Sequence, residues 1–198
     1  IRAPFRMAAT GEHWAWNAGA IFAAAAGAGL DARDVAEAIS DIGAEPGRGR
    51  AVPITLPDGG HFTLLDDAYN ANPVSMAAAI ASLGAARPTG AGRRIAVLGD
   101  MLELGPDENR LHAALAEPLA EAGVDAVITC GRRMKSLHDA LPSAIRAGYA
   151  QDALGGLEHV KSLVRSGDVV LIKGSNGSGL HKIASVLVDG TAFGLTEA

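Results

Sequence analysis

Aromatic residues are scarce in this chain of 198 residues, at 4% against 48% for all hydrophobic residues. The core must therefore be built from Ala, Val, Leu and Ile. Basic residues are also a minority, since 17 Lys and Arg face 22 Asp and Glu and leave a net charge of −5. We expect no nucleic-acid partner, because phosphate binding needs a basic surface.

Cysteine is almost absent, and Cys130 stands alone. It cannot form an internal disulfide, and no Cys/His cluster has the spacing of a zinc site. Long apolar runs are missing as well, because the most apolar stretch, Ala18 to Leu30, is too short and too rich in Ala and Gly to cross a membrane. No signal-peptide pattern is present. We therefore expect a cytoplasmic protein without membrane insertion.

Several common catalytic signatures are absent from the sequence. It contains no G-x-x-x-x-G-K-[ST] loop, no G-x-G-x-x-G fingerprint and no G-x-S-x-G elbow. Cys130 falls in a predicted buried strand, and the dispersed histidines, His112 among them, are typical of helix or cap positions. The chain as given cannot hold nucleotide phosphates in the P-loop manner.

The hydrophobic pattern divides the chain at a Pro/Gly/Arg segment, Pro46 to Arg50. Residues 11–42 have a helical pattern throughout, with Trp16 on a face whose small residues suit burial. After the segment, apolar strands alternate with amphipathic helices, which predicts an α/β fold with a mainly parallel sheet and helices on both faces. Strands are predicted at 52–56, 62–65, 95–98, 126–129, 145–149 and 169–172.

Two local signals refine this pattern. The turn Pro57-Asp58-Gly59-Gly60 joins the first two strands in a predicted hairpin. Asn72-Pro73 predicts a helix start, with Asn72 as the N-cap and Pro73 as the first helical residue. Pro118 lies inside a helical pattern and should kink that helix or divide it in two.

Polar residues follow three of the predicted strands, where ligands bind in parallel sheets. The first group is Asp66 to Pro73, whose carboxylates could accept hydrogen bonds from ribose hydroxyls or help to hold a cation. The alternative is a pair of solvated acids followed by an ordinary Asn-Pro cap. The second group is Gly99 to Gly105, in which Asp100 and Glu103 could orient an amine or simply favour a helix N-terminus.

The third group is Lys173 to Gly179, a lysine followed by a Gly/Ser loop. Such a loop can bind a carboxylate or phosphate through backbone N–H groups. Taken alone it is a weak signal.

The order of five motifs along the chain is more specific than any of them alone. The order is H-x-x-x-N-A, P-G-R-G-R, D-D-A-Y-N-A-N-P-V-S-M, V-L-G-D-M-L-E-L-G followed by His112, and V-L-I-K-G-S-N. This order is similar to the Mur ligases, in particular to those that join D-alanyl-D-alanine to UDP-N-acetylmuramoyl-tripeptide. The resemblance runs from about Gly11 to the final helix.

The resemblance implies the C-terminal portion of a longer, three-domain enzyme. Residues 1–46 would be the last helices of a central ATP-binding domain, and residues 47–198 a Rossmann-like C-terminal domain. The P-loop, the Mg²⁺ ligands and a carbamylated lysine would lie upstream, so ATP and Mg²⁺ would be bound mostly outside this chain. The family phosphorylates the tripeptide carboxylate to an acyl phosphate, which the dipeptide amine attacks. The fragment alone should be inactive, and we expect a monomer.

The resemblance also assigns roles to individual residues. Asn17 would contact adenine, Asp67 the ribose, and either Arg48 or Arg50 the phosphates. The remaining candidates are Tyr69, Asn70 and Asn72 on the nucleotide side, and Lys173, Ser175, Asp100 and Glu103 on the substrate side. Two positions depart from the family pattern, since many relatives have Asn where this chain has Trp14, and Arg where it has Asn176.

Two other functions remain open at this stage. A stand-alone Rossmann-like module could bind a nucleotide or peptide without catalysis. A dehydrogenase-like domain is disfavoured because no glycine fingerprint follows the first strand.

Overall fold

The computed structural model describes residues 12–40 and 45–195, and only the backbone of residues 12–14. The chain divides into two compact units, Ile1–Glu45 and Pro46–Ala198. The first unit contains helices α1 (Glu12–Gly27) and α2 (Ala32–Ser40). This agrees with the helical pattern over the described residues, whereas Gly11, Asp41 and Ile42 lie outside them.

The burial of α1 differs from the expectation. Ala18 and Ala25 are buried, but Trp16 has 73% of its surface exposed. The small residues of α1 allow close packing, yet Trp16 has no covering layer among the described residues.

The second unit is an alternation of strands and helices, as the sequence predicted. Its strands are β1 (Arg50–Thr55), β2 (His61–Asp67), β3 (Arg94–Gly99), β4 (Ala126–Cys130), β5 (Arg146–Ala150) and β6 (Val169–Lys173). Its helices are α3 (Pro73–Ala85), α4 (Glu108–Ala113), α5 (Ala116–Glu121), α6 (Lys135–Ala140), α7 (Ala153–Leu163) and α8 (Leu180–Val188). None of the described helices is long and apolar enough to span a membrane.

The strands form one sheet in the order β1-β2-β6-β3-β4-β5. β1 pairs with β2 in antiparallel fashion, and every other neighbouring pair is parallel. The predicted hairpin is confirmed, and its turn closes where the Leu56 N–H donates to the Gly60 carbonyl at 2.8 Å. Only the edge hairpin departs from a parallel arrangement.

Helices cover both faces of the sheet, and the alternation of residues along each strand explains why. In β3, Ile95 and Val97 pack beneath α7 and α8, whereas Ala96 and Leu98 pack beneath α3, α5 and α6. A strand buried on both faces must be apolar throughout, and the sequence shows such runs. The predicted α/β fold class is therefore confirmed.

Two proline signals are also confirmed. Asn72 caps α3, because its Oδ1 accepts the Ser75 N–H at 2.8 Å while the Ser75 Oγ accepts the Asn72 N–H at 3.0 Å. Pro73 occupies the first turn, where its missing N–H costs nothing. Pro118 cannot donate to the carbonyl of Ala114, and the helical stretch is accordingly divided into α4 and α5.

Candidate functional site

The three polar strand ends lie on three adjacent strands, because β6 is inserted between β2 and β3. These strands run parallel, so their carboxyl ends meet at one edge of the sheet. The order of the chain also reverses here, and this switch point is where α/β sheets bind ligands. The loop after β2, the loop after β3 and the loop after β6 thus form one surface.

Ser175 ties the three loops together. Its Oγ donates to the Ala71 carbonyl at 3.2 Å and accepts the Leu102 N–H at 3.0 Å. Its backbone N–H donates to the Asp100 carbonyl at 3.0 Å. Ser175 is buried, so its hydroxyl holds the surface together from within.

Lys173 and Asp67 form an ion pair at the same edge. The Lys173 Nζ donates to Asp67 Oδ2 at 2.7 Å and to the Asn70 carbonyl at 2.9 Å. The lysine side chain is only 3% exposed, whereas 26% of the Asp67 side chain is exposed. A buried ammonium with these partners is not placed to contact a substrate directly, but the carboxylate it holds is reachable from solvent.

Asp100 and Glu103 follow β3 but have different surroundings. Asp100 is buried, and its Oδ1 accepts the N–H groups of Arg133 at 3.1 Å and Met134 at 2.9 Å. The Arg133 guanidinium also donates to Glu108 at 2.6 Å, and that hydrogen bond raises the pKa of Arg133. Asp100 therefore fixes the end of the loop after β4, directly before α6, and its carboxylate faces the protein.

Glu103 is exposed and has a φ of 65°. A residue with a Cβ pays a steric cost in this left-handed region, about 1 kcal/mol. Strained backbone of this kind concentrates at functional sites, so Glu103 stays a candidate for substrate contact.

The segment Pro46 to Arg50 is attached to the end of β2 through Asp66. Asp66 Oδ2 accepts the Gly47 N–H at 2.8 Å, and its carbonyl accepts the Gly49 N–H at 2.8 Å. The Tyr69 N–H donates to the Gly47 carbonyl at 3.0 Å. Gly47 has a φ of 76°, and a Cβ there would lie 3.1 Å from the Tyr69 nitrogen, so only glycine suits the position.

Arg48 and Arg50 leave this segment in different environments. The Arg48 guanidinium carbon lies 4.2 Å from the centre of the Tyr69 ring, a cation–π contact. Arg50 instead borders a groove of about 280 Å³ beside α8. The groove is also lined by Val52, Tyr69, His181, Ala184 and Val188.

The three asparagines are distributed differently. Asn17 is exposed on α1, in the first unit. Asn72 is exposed but serves as the N-cap of α3. Asn70 is exposed as well, its side-chain Oδ1 accepts the Ala71 N–H at 2.8 Å, and its backbone carbonyl accepts from Lys173. The described residues therefore offer Asp67, Tyr69 and Asn70 together as solvent-reachable groups at the end of β2.

Asp66 has a structural role that the sequence does not predict, and His112 fills the structural role expected of it through contacts that only the fold shows. Asp66 and Asp67 were interpreted together, but strand alternation separates them, and Asp66 serves the Pro46 to Arg50 segment. His112 is fully buried, with its Nε2 accepting the Met101 N–H at 2.9 Å and its Nδ1 2.6 Å from the Glu108 carbonyl. His112 therefore supports the loop after β3 from a helix, in agreement with the structural role expected of it.

The described residues contain no group of three or more His, Cys, Asp or Glu side chains that could hold a metal ion. No chemical step is therefore assigned to Mg²⁺ at these residues.

The sequence around this site matches a known protein family. The family described as "Mur ligase, glutamate ligase domain" matches residues 49–176. The chain belongs to the Mur ligase family. The matched region contains every strand of the sheet and the carboxyl ends of β2, β3 and β6, where the three groups of polar residues lie.

Two curated relatives of this chain carry the same name. The UDP-N-acetylmuramoyl-tripeptide–D-alanyl-D-alanine ligase of Mycobacterium tuberculosis is 34% identical, with 94% of this chain and 40% of the relative covered. The ligase of the same name from Bacillus subtilis is 30% identical, over 96% of this chain and 41% of the relative. The chain thus spans about two fifths of the length of these relatives.

Solved structures agree with the sequence relatives. A crystal structure of MurF from Acinetobacter baumannii has a TM-score of 0.77 and 25% identity, covering 93% of this chain and 40% of that one. MurF from Thermotoga maritima, solved in complex with ADP, shares the fold at a TM-score of 0.66 and 22% identity. The fold of this chain therefore agrees with its assignment to the Mur ligase family.

Proposed function

We propose that this chain is the C-terminal part of an ATP-dependent ligase that joins D-alanyl-D-alanine to UDP-N-acetylmuramoyl-tripeptide in peptidoglycan precursor synthesis. Residues 1–46 are the last helices of its central ATP-binding domain, and residues 47–198 are its C-terminal domain. The part of the enzyme upstream of this chain makes most of the contacts with ATP and Mg²⁺. The enzyme is a cytoplasmic monomer. The observation that carries this proposal is the meeting of the three family motifs at adjacent strand ends.

The reaction needs three things from this part of the enzyme. The nucleotide must be held, the acceptor dipeptide must be oriented, and water must be excluded from the acyl phosphate. The γ-phosphate passes to the tripeptide carboxylate and ADP remains. The dipeptide amine then attacks the acyl carbon, and phosphate leaves as the amide bond forms.

The nucleotide side is assigned to the end of β2. The Asp67 carboxylate accepts hydrogen bonds from the ribose hydroxyls, with Tyr69 and Asn70 beside it and Asn72 fixing the following helix. Asn17 is the proposed adenine contact. Of the two arginines, Arg48 is the better phosphate candidate, since its guanidinium lies over the ring of Tyr69, a residue assigned to the nucleotide side.

The acceptor side is assigned to the loops after β3 and β6. Glu103 is exposed and contacts the dipeptide, while Asp100 and Ser175 hold the loops in position from their buried sites. This division of roles follows from burial, since a buried, hydrogen-bonded group can shape a surface without touching the ligand.

Turnover by the complete protein tests the proposal. ADP formation is expected only when UDP-N-acetylmuramoyl-tripeptide and D-alanyl-D-alanine are both present, and the product mass should equal their sum minus one water. D-Glutamate and D-alanine as single acceptors are the matched controls. ADP formation with a single amino acid would assign the chain to a different Mur ligase. ATP hydrolysis by these 198 residues alone would contradict the proposed division of the active site.

A further inference from the structure

Lys173 is the one buried lysine among the described residues, and the proposed function does not explain why a lysine is buried at this position. It ends β6, the strand between β2 and β3, and its ammonium lies below the surface on which the ligands would bind. Burying a charge is unfavourable unless it is paired and hydrogen-bonded. One partner, Asp67, is the last residue of β2, and the other, Asn70, lies in the loop that follows.

The two partners lie on either side of Tyr69. Asp67 Oδ2 accepts from Nζ at 2.7 Å on one side, and the Asn70 carbonyl accepts at 2.9 Å on the other. Ser175, two residues beyond Lys173, donates to the next carbonyl, that of Ala71, at 3.2 Å. The end of β6 therefore holds the end of β2 and the loop that follows it at three points, and Lys173 supplies two of them.

We propose that Lys173 is a positioning residue for nucleotide binding, acting through the Asp67 carboxylate and the Asn70 carbonyl and not through contact with the acceptor substrate. This inference rests on the proposed role of Asp67 toward the ribose. The ammonium fixes the orientation of the carboxylate, which is partly exposed, while the lysine itself is not. It also fixes the turn that presents Tyr69 and, through it, Arg48.

This role differs from a purely structural one in a measurable way. Lys173→Met leaves behind the Asp67 carboxylate, which is 26% exposed and can be hydrated, so a stable fold does not require the ammonium. Orienting the Asp67 carboxylate does require the Lys173 ammonium. Loss of the charge should therefore act on nucleotide affinity even in a variant that unfolds at the same temperature as the parent.

The experiment uses the full-length enzyme and the Michaelis constants for ATP and for D-alanyl-D-alanine. Lys173→Met is expected to raise the KM for ATP by roughly tenfold, the effect of losing one hydrogen bond to a charged group. The KM for the dipeptide should change less than about twofold, within the spread of such measurements. Lys173→Arg, which keeps the charge, should recover part of the ATP affinity, and Lys182→Met on the exposed face of α8 is the matched control.

A double-mutant cycle separates the inference from the function on which it rests. If Lys173 acts through Asp67, Lys173→Met should add little to the KM for ATP of an Asp67→Asn enzyme. If Asp67→Asn raises the KM for ATP but Lys173→Met does not, the inference is overturned while the proposed function stands. A rise in Lys173→Met that is confined to the KM for the dipeptide has the same consequence. An unchanged KM for ATP in Asp67→Asn removes the nucleotide role of Asp67 and the inference with it. Should Lys173→Met fail to accumulate, Lys173→Gln provides the same comparison, with the same expected direction.

Discussion

The guanidinium carbon of Arg48 lies 4.2 Å from the centre of the Tyr69 ring, although the two residues belong to segments separated by the whole β1–β2 hairpin. The contact forms because Asp66 holds the Arg48 segment against the end of β2. Arg48 is therefore held at the surface formed by the strand ends, while Arg50 borders the groove that Tyr69 and α8 both line.

The first prediction separates the two arginines. In the full-length enzyme Arg48→Ala should lower kcat/KM for ATP by on the order of a hundredfold, the usual loss when a donor to developing charge is removed. Arg50→Ala should lower it by less than about threefold, because the phosphate role is assigned to Arg48 and not to Arg50. Steady-state kinetics at saturating tripeptide and dipeptide provide the measurement. Equal losses in both variants would show that the cation–π contact does not select the phosphate-facing arginine.

The second prediction concerns the stability of the Asp67–Lys173 pair. Asp67→Ala leaves the Lys173 ammonium buried without its carboxylate, and should lower the free energy of unfolding by about 3 kcal/mol. Urea unfolding of the chain measures this value. Asp139→Ala removes the carboxylate of an exposed pair with Lys135 and should leave the unfolding midpoint unchanged.

A second substitution tests the cause of that loss. Adding Lys173→Met to Asp67→Ala removes the unpaired charge, so the double variant should be more stable than Asp67→Ala alone. A double variant less stable than Asp67→Ala would mean that the lysine contributes mainly through other contacts.

This pair also marks the limit of what the sequence could reveal. The apolar runs and the turn Pro57 to Gly60 predict the strands and the hairpin, because both signals are local. The Asp67–Lys173 contact joins residues 106 positions apart, and it exists only because β6 lies beside β2. From the sequence, Asp67 and Lys173 were assigned to different ligands, but in the fold they pair with each other.

The same limit applies to the other polar strand ends. The sequence indicated correctly which loops carry polar groups, since such residues stand out after apolar strands. It did not indicate which of these groups hold the loops from within, as Ser175 and Asp100 do, and which reach solvent, as Glu103 does. Burial depends on neighbouring strands and on the loop after β4, which lie far away in the sequence.

The third prediction concerns Asp66. Asp66→Ala removes the acceptor of the Gly47 N–H from a buried site and should lower the free energy of unfolding by about 2 kcal/mol. Urea unfolding measures the loss, and hydrogen exchange should show faster exchange of the Gly47 amide. Glu121→Ala, at an exposed position, is the control. An unchanged exchange rate at Gly47 would mean that the segment is held without the carboxylate.

The fourth prediction concerns His138, whose pKa is lowered by burial of the ring and by the nearby positive charge of Arg146. The unfolded chain therefore binds a proton more readily than the folded chain, so the contribution of His138 favours folding above its ordinary pKa of 6.5 and is lost as pH falls through the lower folded value. NMR titration should place the His138 midpoint below 6.5. Arg146→Gln should move that midpoint upward, and an unmoved midpoint would mean that the charge of Arg146 does not contribute to the lowered pKa.

The fifth prediction concerns Cys130, whose thiol is 1% exposed at the end of β4. Burial, with the nearby carboxylates of Asp152 and Asp100, raises the pKa of Cys130 from 9.0 to about 12. A thiol-specific reagent at pH 8 should therefore leave the folded chain unmodified and label one thiol after denaturation. In the folded chain the Cys130 sulfur is neither deprotonated nor accessible to the reagent. Rapid labelling of the native chain would show that β4 opens.

The raised pKa of Cys130 also affects stability at alkaline pH. Above pH 9.0 the unfolded thiol loses its proton while the folded thiol keeps it until about 12, so the folded state binds more protons in that window. The free energy of unfolding should accordingly fall as pH rises from 9 toward 12, and fall less steeply in Cys130→Ala. Comparing urea midpoints of the two chains across this range isolates the thiol from the lysines and tyrosines that titrate in both. Parallel curves would mean that Cys130 ionises as readily in the folded chain as in the unfolded one.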